Sequence, residues 1–265
     1  MARYVAKRLL WMIPITLGVA VLVFTLMTFC PGDPAEIILG STATEENLES
    51  LRQELGLNQP FFVRLGTFLS DTFLHFDLGN SWATGASVKD AILERLPRTL
   101  ILATTMMAIS FCIGVPLGIM AAIHQNQWQD NLCMTLALIG ISIPNFWLAL
   151  LLVLLFSVKL GWLPAMGIGG LQYYILPALA GCTGGIAASA RQTRSSMLDV
   201  IRSDYITTAR AKGVPEHQVI IKHALKNGMI PIITVMGTHF GKMLGGTMII
   251  ETIFSIPGMG QLIIN

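Results

Sequence analysis

An all-helical, membrane-embedded chain is the architecture this sequence calls for. Hydrophobic residues make up 53% of its 265 residues and charged residues only 12%, against about 25% charged in a soluble domain. Apolar runs recur at the roughly 20 residues a helix needs to cross a hydrocarbon core of about 30 Å. Lys and Arg gather in one long polar interruption, residues 191–226. Seven of them stand there (Arg191, Arg194, Arg202, Arg210, Lys212, Lys222, Lys226) against three acids (Asp199, Asp204, Glu216). Such a segment cannot lie in hydrocarbon, and its basic excess assigns it to the cytoplasmic side.

Five spans are read, at Leu9–Cys30, Thr99–Ile123, Leu132–Phe156, Leu176–Ala190 and Met229–Ile250. The fourth is the poorest helix former, because Gly181, Gly184 and Gly185 fall inside it. Those same small residues let helices approach closely. The first span follows a basic start (Arg3, Lys7, Arg8), as a signal peptide would. Its 22 residues exceed a secretory h-region of about 7–15, and no small-residue cleavage site follows. Phe29 is also too bulky to precede a lipoprotein cysteine at Cys30. It reads as an uncleaved helix with its N-terminus inside.

Alternation sets the other sides. Residues 31–98 lie outside, with ten acids against five Lys or Arg. Residues 124–131 turn inside, 157–175 outside, and the 191–226 loop returns inside. Asn265 then falls outside. The chain divides at 98/99: residues 1–98 hold the N-terminal span and an extracytoplasmic helical region, and residues 99–265 hold a membrane core with its loop. In the outer region Thr44 is placed to cap a helix striped by Leu48, Leu51 and Leu55 and ended by Gly56. After Pro60 a second amphipathic segment carries Phe61, Phe62, Leu65, Phe68, Leu69 and Phe73.

Inside the basic loop, Gly213 suits a helix C-terminus and Pro215 the first turn of a following helix. The loop therefore reads as two short helices around a stiff turn. Little else in the chain suggests chemistry. Cys30, Cys112, Cys133 and Cys182 lie in or at the ends of apolar runs with no C-x-x-C pair, so neither a metal site nor a disulfide framework is indicated. His75, His124, His217 and His223 are scattered over loops on both sides. His239 sits in the fifth span, where it is either a cross-helix hydrogen bonder or a soft-metal contact. Gly237–Lys242 mimics a phosphate loop. It has three residues between its glycines where four are needed, and Met243 where Ser or Thr is needed. Gly237, Gly241 and Gly245 read instead as a small-residue packing face, as do Gly114 with Gly118 and Gly181 with Gly185. No nucleophile–base pair stands out, and an enzyme is not expected.

Ordered motifs then supply a resemblance. Arg3–Pro14, Pro31–Pro34, Leu55–Pro60, Asp77–Ser81, Glu94–Leu100, Pro144–Leu148, Trp162–Pro164, Asp204–Gly213, Glu251–Phe254 and Pro257–Gly260 follow one another as in the permease subunits of dipeptide, oligopeptide and nickel ABC importers. Any one is weak; their common order is specific, and it runs from end to end. The chain resembles that family, which implies the type I ABC importer permease fold. It implies a second homologous permease subunit, two ABC ATPase subunits, an extracytoplasmic binding protein and surrounding lipid as partners, with no cofactor and no nucleic acid.

The resemblance further implies that Asp204, Thr207, Thr208, Ala209, Arg210, Ala211, Lys212, Gly213 and Pro215 form the ATPase-coupling loop. His239, Glu251, Pro257 and Gly258 become candidates for the translocation path or gate. Two departures stand out. Thr207, Thr208 and Ala209 occupy the place of a Glu-Ala-Ala motif, so no carboxylate contact is assigned there. The family also has one more span after the Pro-Gly-x-Gly segment, so the native chain is expected to continue for about 40–60 residues. The function implied is ATP-driven import of short peptides or nickel by alternating access, in a multi-pass inner-membrane protein with its N-terminus inside. A secondary transporter or channel would want more ionisable residues in the spans than His239 and Lys242. A DNA-binding reading of 204–226 is hindered by membrane at both ends of the segment.

Overall fold

A computed structural model describes residues 2–40, 43–82 and 84–264. Its described residues are helical apart from turns and one isolated bridge between Asn80 and Ser87. The chain divides into two compact units, Met1–Leu93 and Glu94–Asn265.

In the first unit α1 (Ala2–Phe29) is a long apolar helix. Near its start the Arg8 guanidinium lies 5.3 Å from the Tyr4 ring centroid. α2 (Pro34–Leu39) opens on Asp33, whose carboxylate accepts from the Ala35 N–H at 2.9 Å. α3 (Glu45–Glu54) buries Leu48 and ends at Gly56, where φ is +65°. The Leu57 N–H reaches the Arg52 carbonyl and the Gly56 N–H that of Gln53, so the expected stop is a paired C-terminal closure. Thr44 stands at the N-cap of α3, but its side chain makes no capping bond. The first turn is supported by Glu45 and Glu46 instead.

What ties α2 to α3 is an ion pair the sequence did not advertise. Arg52 holds Asp33 at 2.6 Å and also reaches Glu45 at 2.9 Å. The Ala35 N–H, and then Arg52, hold the Asp33 carboxyl below the usual carboxylate range. α4 (Phe61–Ser70) turns Phe61 and Phe68 onto Phe24 of α1, at 5.9 and 5.0 Å between ring centroids. Phe62 points away and is 82% exposed, so the expected aromatic stripe is narrower than its sequence.

The second unit contains the greater part of α5 (Val88–Ile123), then α6 (Trp128–Ser142) and α7 (Asn145–Leu152). α8 (Gln172–Gly181), α9 (Thr183–Ile201), α10 (Asp204–Ala211) and the short α11 (Glu216–Gln218) follow. α12 (Lys226–Gly246), α13 (Met248–Ile253) and α14 (Met259–Ile264) complete it. Among the described residues three helical stretches are long and apolar enough to cross a membrane: Arg3–Phe29, Val88–Ile123 and Glu216–Gly246. A fourth is added if α6 and the Asn145–Lys159 helix count as one bent span.

The five expected spans are corrected at three places. The third is broken, because Pro144 pushes Ile143 to an extended ψ of 123° and the chain bends by 94°. The fourth is split at Cys182 between α8 and α9: α8, with 10 residues, is too short to cross, and α9, with 19, is not apolar enough to count among the crossing helices. The break is stabilised by α5: the Ser110 hydroxyl donates to the Cys182 carbonyl at 3.1 Å. The fifth stops at Gly246, where Gly245 and Gly246 end the helix before Ile250. At its other end α11 is no separate helix. It runs through a wider turn, Val219–Leu225, directly into α12.

α9 is the centre of this unit. Ser189 of α9 donates to the Ser110 carbonyl of α5 at 2.9 Å. A Cβ on Gly118 would come within 2.5 Å of the Ala190 carbonyl oxygen and of Thr193 Cβ. Met106 of α5 fills the space beside Gly181, and Ser110 and Met243 that beside Gly185. These two glycine pairs are packing faces, as their spacing indicates. Gly237, Gly241 and Gly245 of α12 differ: a Cβ at any of them would meet nothing within 4 Å among the described residues. Gly118→Ala should therefore cost about 1–3 kcal/mol through overpacking. Gly237→Ala should be neutral or stabilising, since Ala is the better helix former by about 1 kcal/mol. Thermal unfolding of the purified protein in detergent checks the contrast; equal melting temperatures would mean that α5 and α9 are not this close.

Candidate functional site

The basic loop folds as a small packed cassette. Ser203 precedes α10 with an extended ψ of 152°, and its hydroxyl donates to the Val200 carbonyl at 2.6 Å. Ile206 and Ala209 of α10 are buried with Met197 of α9, Ala122 at the end of α5, and Val219 and Ala224 of the turn into α12. The remaining residues of the expected coupling set point outward: Asp204, Thr207, Thr208, Arg210, Ala211, Lys212, Gly213 and Pro215 are exposed. Ala209 is the exception, turned into the core.

Gly213 ends α10 with φ +76°. The Val214 N–H bonds the Ala209 carbonyl and the Gly213 N–H that of Arg210, closing a Schellman motif. Val214 packs back on the same cluster that buries Ala209. Beyond the turn, Arg210 forks onto Glu216 at 2.7 and 3.1 Å. That contact holds Arg210 above its ordinary value. Pro215 is the N-cap of the next helix rather than a residue of its first turn. The result is a stiff turn with one apolar face seated on three elements and one polar face free.

The second candidate group is divided by the structure. Glu251, Pro257 and Gly258 come together; His239 lies apart on α12, half-buried, with no hydrogen-bond partner among the described residues. Among those residues no group of three or more His, Cys, Asp or Glu is arranged to hold a metal ion. Glu251 is 0% exposed. Its Oε1 accepts from the hydroxyls of Thr99 at 2.7 Å and Thr247 at 3.0 Å. Its Oε2 accepts from the Gln261 N–H at 3.2 Å. Thr99 also accepts the Met259 N–H at 2.8 Å, and Arg98 donates to the Pro257 carbonyl at 3.1 Å.

The Pro257–Gly260 turn is thus wrapped around one buried carboxylate. Gly258 and Gly260 are required by contact: a Cβ on Gly258 would lie 2.5 Å from both carboxylate oxygens, and one on Gly260 would collide with the backbone of Met248. Thr99, Thr247 and Gln261 were not singled out from sequence. Nothing local marks them, since a hydroxyl at the start of an apolar run usually bonds its own helix.

With this geometry in view, the comparisons define the class. Residues 1–103 match the N-terminal part, and residues 114–265 the main part, of the binding-protein-dependent transport system inner membrane component family. The chain belongs to that family; it is a multi-pass ABC importer permease and not an enzyme. Within it the peptide branch stands out. A protein described as a peptide transport system permease of Brucella abortus (strain 2308) is 45% identical over 273 residues, covering 100% of this chain and 87% of that protein. The glutathione transport system permease protein GsiC of Escherichia coli (strain K12) is 44% identical over 265 residues, covering 100% of this chain and 86% of that protein. A crystal structure of an amino acid ABC transporter with histidines aligns over 66% of this chain and 76% of that one, at 16% identity and a TM-score of 0.49.

The carboxylate cradle yields a test. Glu251→Ala strands the Gln261 N–H and two hydroxyls, and should cost about 1–3 kcal/mol. Glu251→Gln keeps the volume and an acceptor for the two threonines, and should cost less. Melting temperatures of the two variants in detergent decide it. No loss in Glu251→Ala would show that the carboxylate does not hold the turn.

Proposed function

We propose that this permease carries short peptides inward, driven by ATPase subunits that dock on its basic loop. In this reading residues 99–265 form the transport core. Residues 1–98 supply the first span and a helical surface that receives the substrate-loaded binding protein. The N-terminus and the 191–226 loop lie in the cytoplasm, and the Pro257–Gly260 turn lies toward the outer side. A second, homologous permease subunit completes the path, and two ATPases bind one loop each. The peptide assignment is supported by the peptide and glutathione permeases to which the whole chain aligns. Among the described residues His239 belongs to no group of three or more His, Cys, Asp or Glu that could hold nickel.

The observation that carries the coupling proposal is the cassette around α10. A lever must be stiff and must present a free face, and α10 does both. Ile206 and Ala209 fix it to α5, α9 and the turn into α12, while Thr207, Arg210, Ala211 and Lys212 are exposed. ATP-driven closure of the docked subunits would move this cassette as a body. The α9, α5 and α12 helices would follow and open the path alternately to each side.

Orientation is checked by single cysteines in a background lacking the native four. Asn47 and Lys212 are both exposed, whereas Ser196 in the basic loop is 5% exposed and a poor reporter. Asn47→Cys should react with an impermeant thiol reagent from outside, and Lys212→Cys only after the membrane is opened. Reaction of both from one side would overturn the arrangement.

Coupling is checked at Gly213. The space around it is open, so a side chain there is opposed only by backbone conformation. A left-handed residue with a Cβ costs about 1–2 kcal/mol, more for a β-branched one. Gly213→Val should insert normally, yet lose binding-protein-stimulated ATP hydrolysis at least about fivefold. Undiminished stimulation and uptake would show that the turn is not the coupling element.

A further inference from the structure

We propose that Asp130 and Arg194 form a strut that carries movement of the α10 cassette into the α6–α7 pair, making both of them positioning residues for transport. The inference rests on the coupling role proposed for α10. It concerns the step after docking, for which nothing in the loop itself provides.

α9 runs from the centre of the core to the base of α10, and Arg194 lies on it ten residues before Asp204. Its guanidinium meets the Asp130 carboxylate fork to fork: Nε donates to Oδ1 and Nη2 to Oδ2, each at 2.6 Å. Asp130 is 2% exposed, in the first turn of α6, and its Oδ2 also accepts the Asn126 N–H at 3.0 Å. The carboxylate is therefore fixed both to its own turn and to α9. A second tie runs in parallel, from the Arg202 Nη2 to the Gln125 Oε1 at 3.0 Å. The 124–127 turn and the start of α6 are thus clamped at two levels, by Arg194 on α9 and by Arg202 just past its end, about two helical turns apart.

A bidentate pair fixes orientation as well as distance, which a single hydrogen bond or an apolar contact does not. Neighbouring polar atoms do not share the task. Gln129 Oε1 and Thr193 Oγ1, beside each partner, are buried without a hydrogen-bond partner among the described residues. Where α9 tilts, then, the start of α6 must follow. α6 leads through the Pro144 bend into α7, which packs on α8 and α13. A displacement that begins at α10 thus has a continuous mechanical route to the helices around Glu251. The sign of the charges matters less than their fork geometry, which a lysine cannot reproduce.

The test uses the complete transporter in proteoliposomes, with its partner permease, ATPases and binding protein. The binding protein is loaded from a tryptic casein digest, and imported peptide is measured per ATP hydrolysed. Asp130→Asn and Arg194→Lys should assemble with unstimulated ATP hydrolysis intact. Each should lower peptide imported per ATP about tenfold. The double variant should be no worse than either single one, as expected of two residues in one contact. A residue needed only for folding would lower the amount of complex and leave that ratio unchanged. If Asp130→Asn fails to assemble, Arg194→Lys, which keeps the charge, decides the matter by the same ratio. A wild-type ratio in the assembled variants, with Gly213→Val uncoupled beside them, overturns the strut alone. If Gly213→Val is also fully coupled, or the wild type imports no peptide, the import reading fails and the strut with it.

Discussion

The contact between α5 and α9 is the constraint on which the rest of the core depends. In a bilayer, helices gain little from burying apolar side chains, because lipid tails are as apolar as leucine. Close backbone approach and interhelical hydrogen bonds must supply the cohesion. Gly114, Gly118, Gly181 and Gly185 remove the side chains that would hold α5 away from the α8–α9 segment. Ser110 and Ser189 then exchange hydrogen bonds with carbonyls across the gap. One of those carbonyls belongs to Cys182, at the break between α8 and α9, so the contact that holds the helices also stabilises the discontinuity. The α10 cassette and the Asp130–Arg194 pair are both mounted on α9.

The legible part of the fold was carried by strong local signals. The long apolar runs appear as α1, α5 and α12, and Gly56 and Gly213 stop helices with the positive φ that a glycine permits. The helix breaks inside apolar runs were not legible. Pro144 and the glycines around Cys182 change direction without changing hydropathy, so a count of apolar residues passes over them. Side-chain partners far apart in sequence were equally silent. Thr99 lies 152 residues from Glu251, and Asp130 lies 64 from Arg194. Glu251 and Gly258 were marked by their motif as candidates for the translocation path or gate, but nothing in that motif showed the filled cradle they form. Thr44 shows the opposite failure: a good capping residue in the right place whose hydroxyl is not used.

The two candidate regions are built on different physics. The α10 cassette is seated by apolar contact beneath an exposed polar face, so it can engage a partner without rearranging its base. The Pro257–Gly260 turn is organised from within, by a carboxylate whose acceptors are filled by two hydroxyls and one backbone N–H. A buried carboxylate without such donors would be strongly unfavourable. With them it becomes a template for the turn, and the two glycines are the sites where the template leaves no room for a side chain.

α5 also sets a length scale. It contains 36 residues and, at 1.5 Å per residue, extends about 54 Å, well beyond the roughly 30 Å of hydrocarbon it must cross. Near one end Thr99 and Arg98 hold the Pro257–Gly260 turn; at the other Ala122 forms part of the seat of α10. Those anchor points are fixed on one rod, about 35 Å apart. Their separation cannot change while the helix stays intact. Motion at one end is therefore transmitted to the other by rotation or tilt rather than by compression. Displacement at either end grows with distance from the pivot, much as in a beam balanced at the α5–α9 crossing.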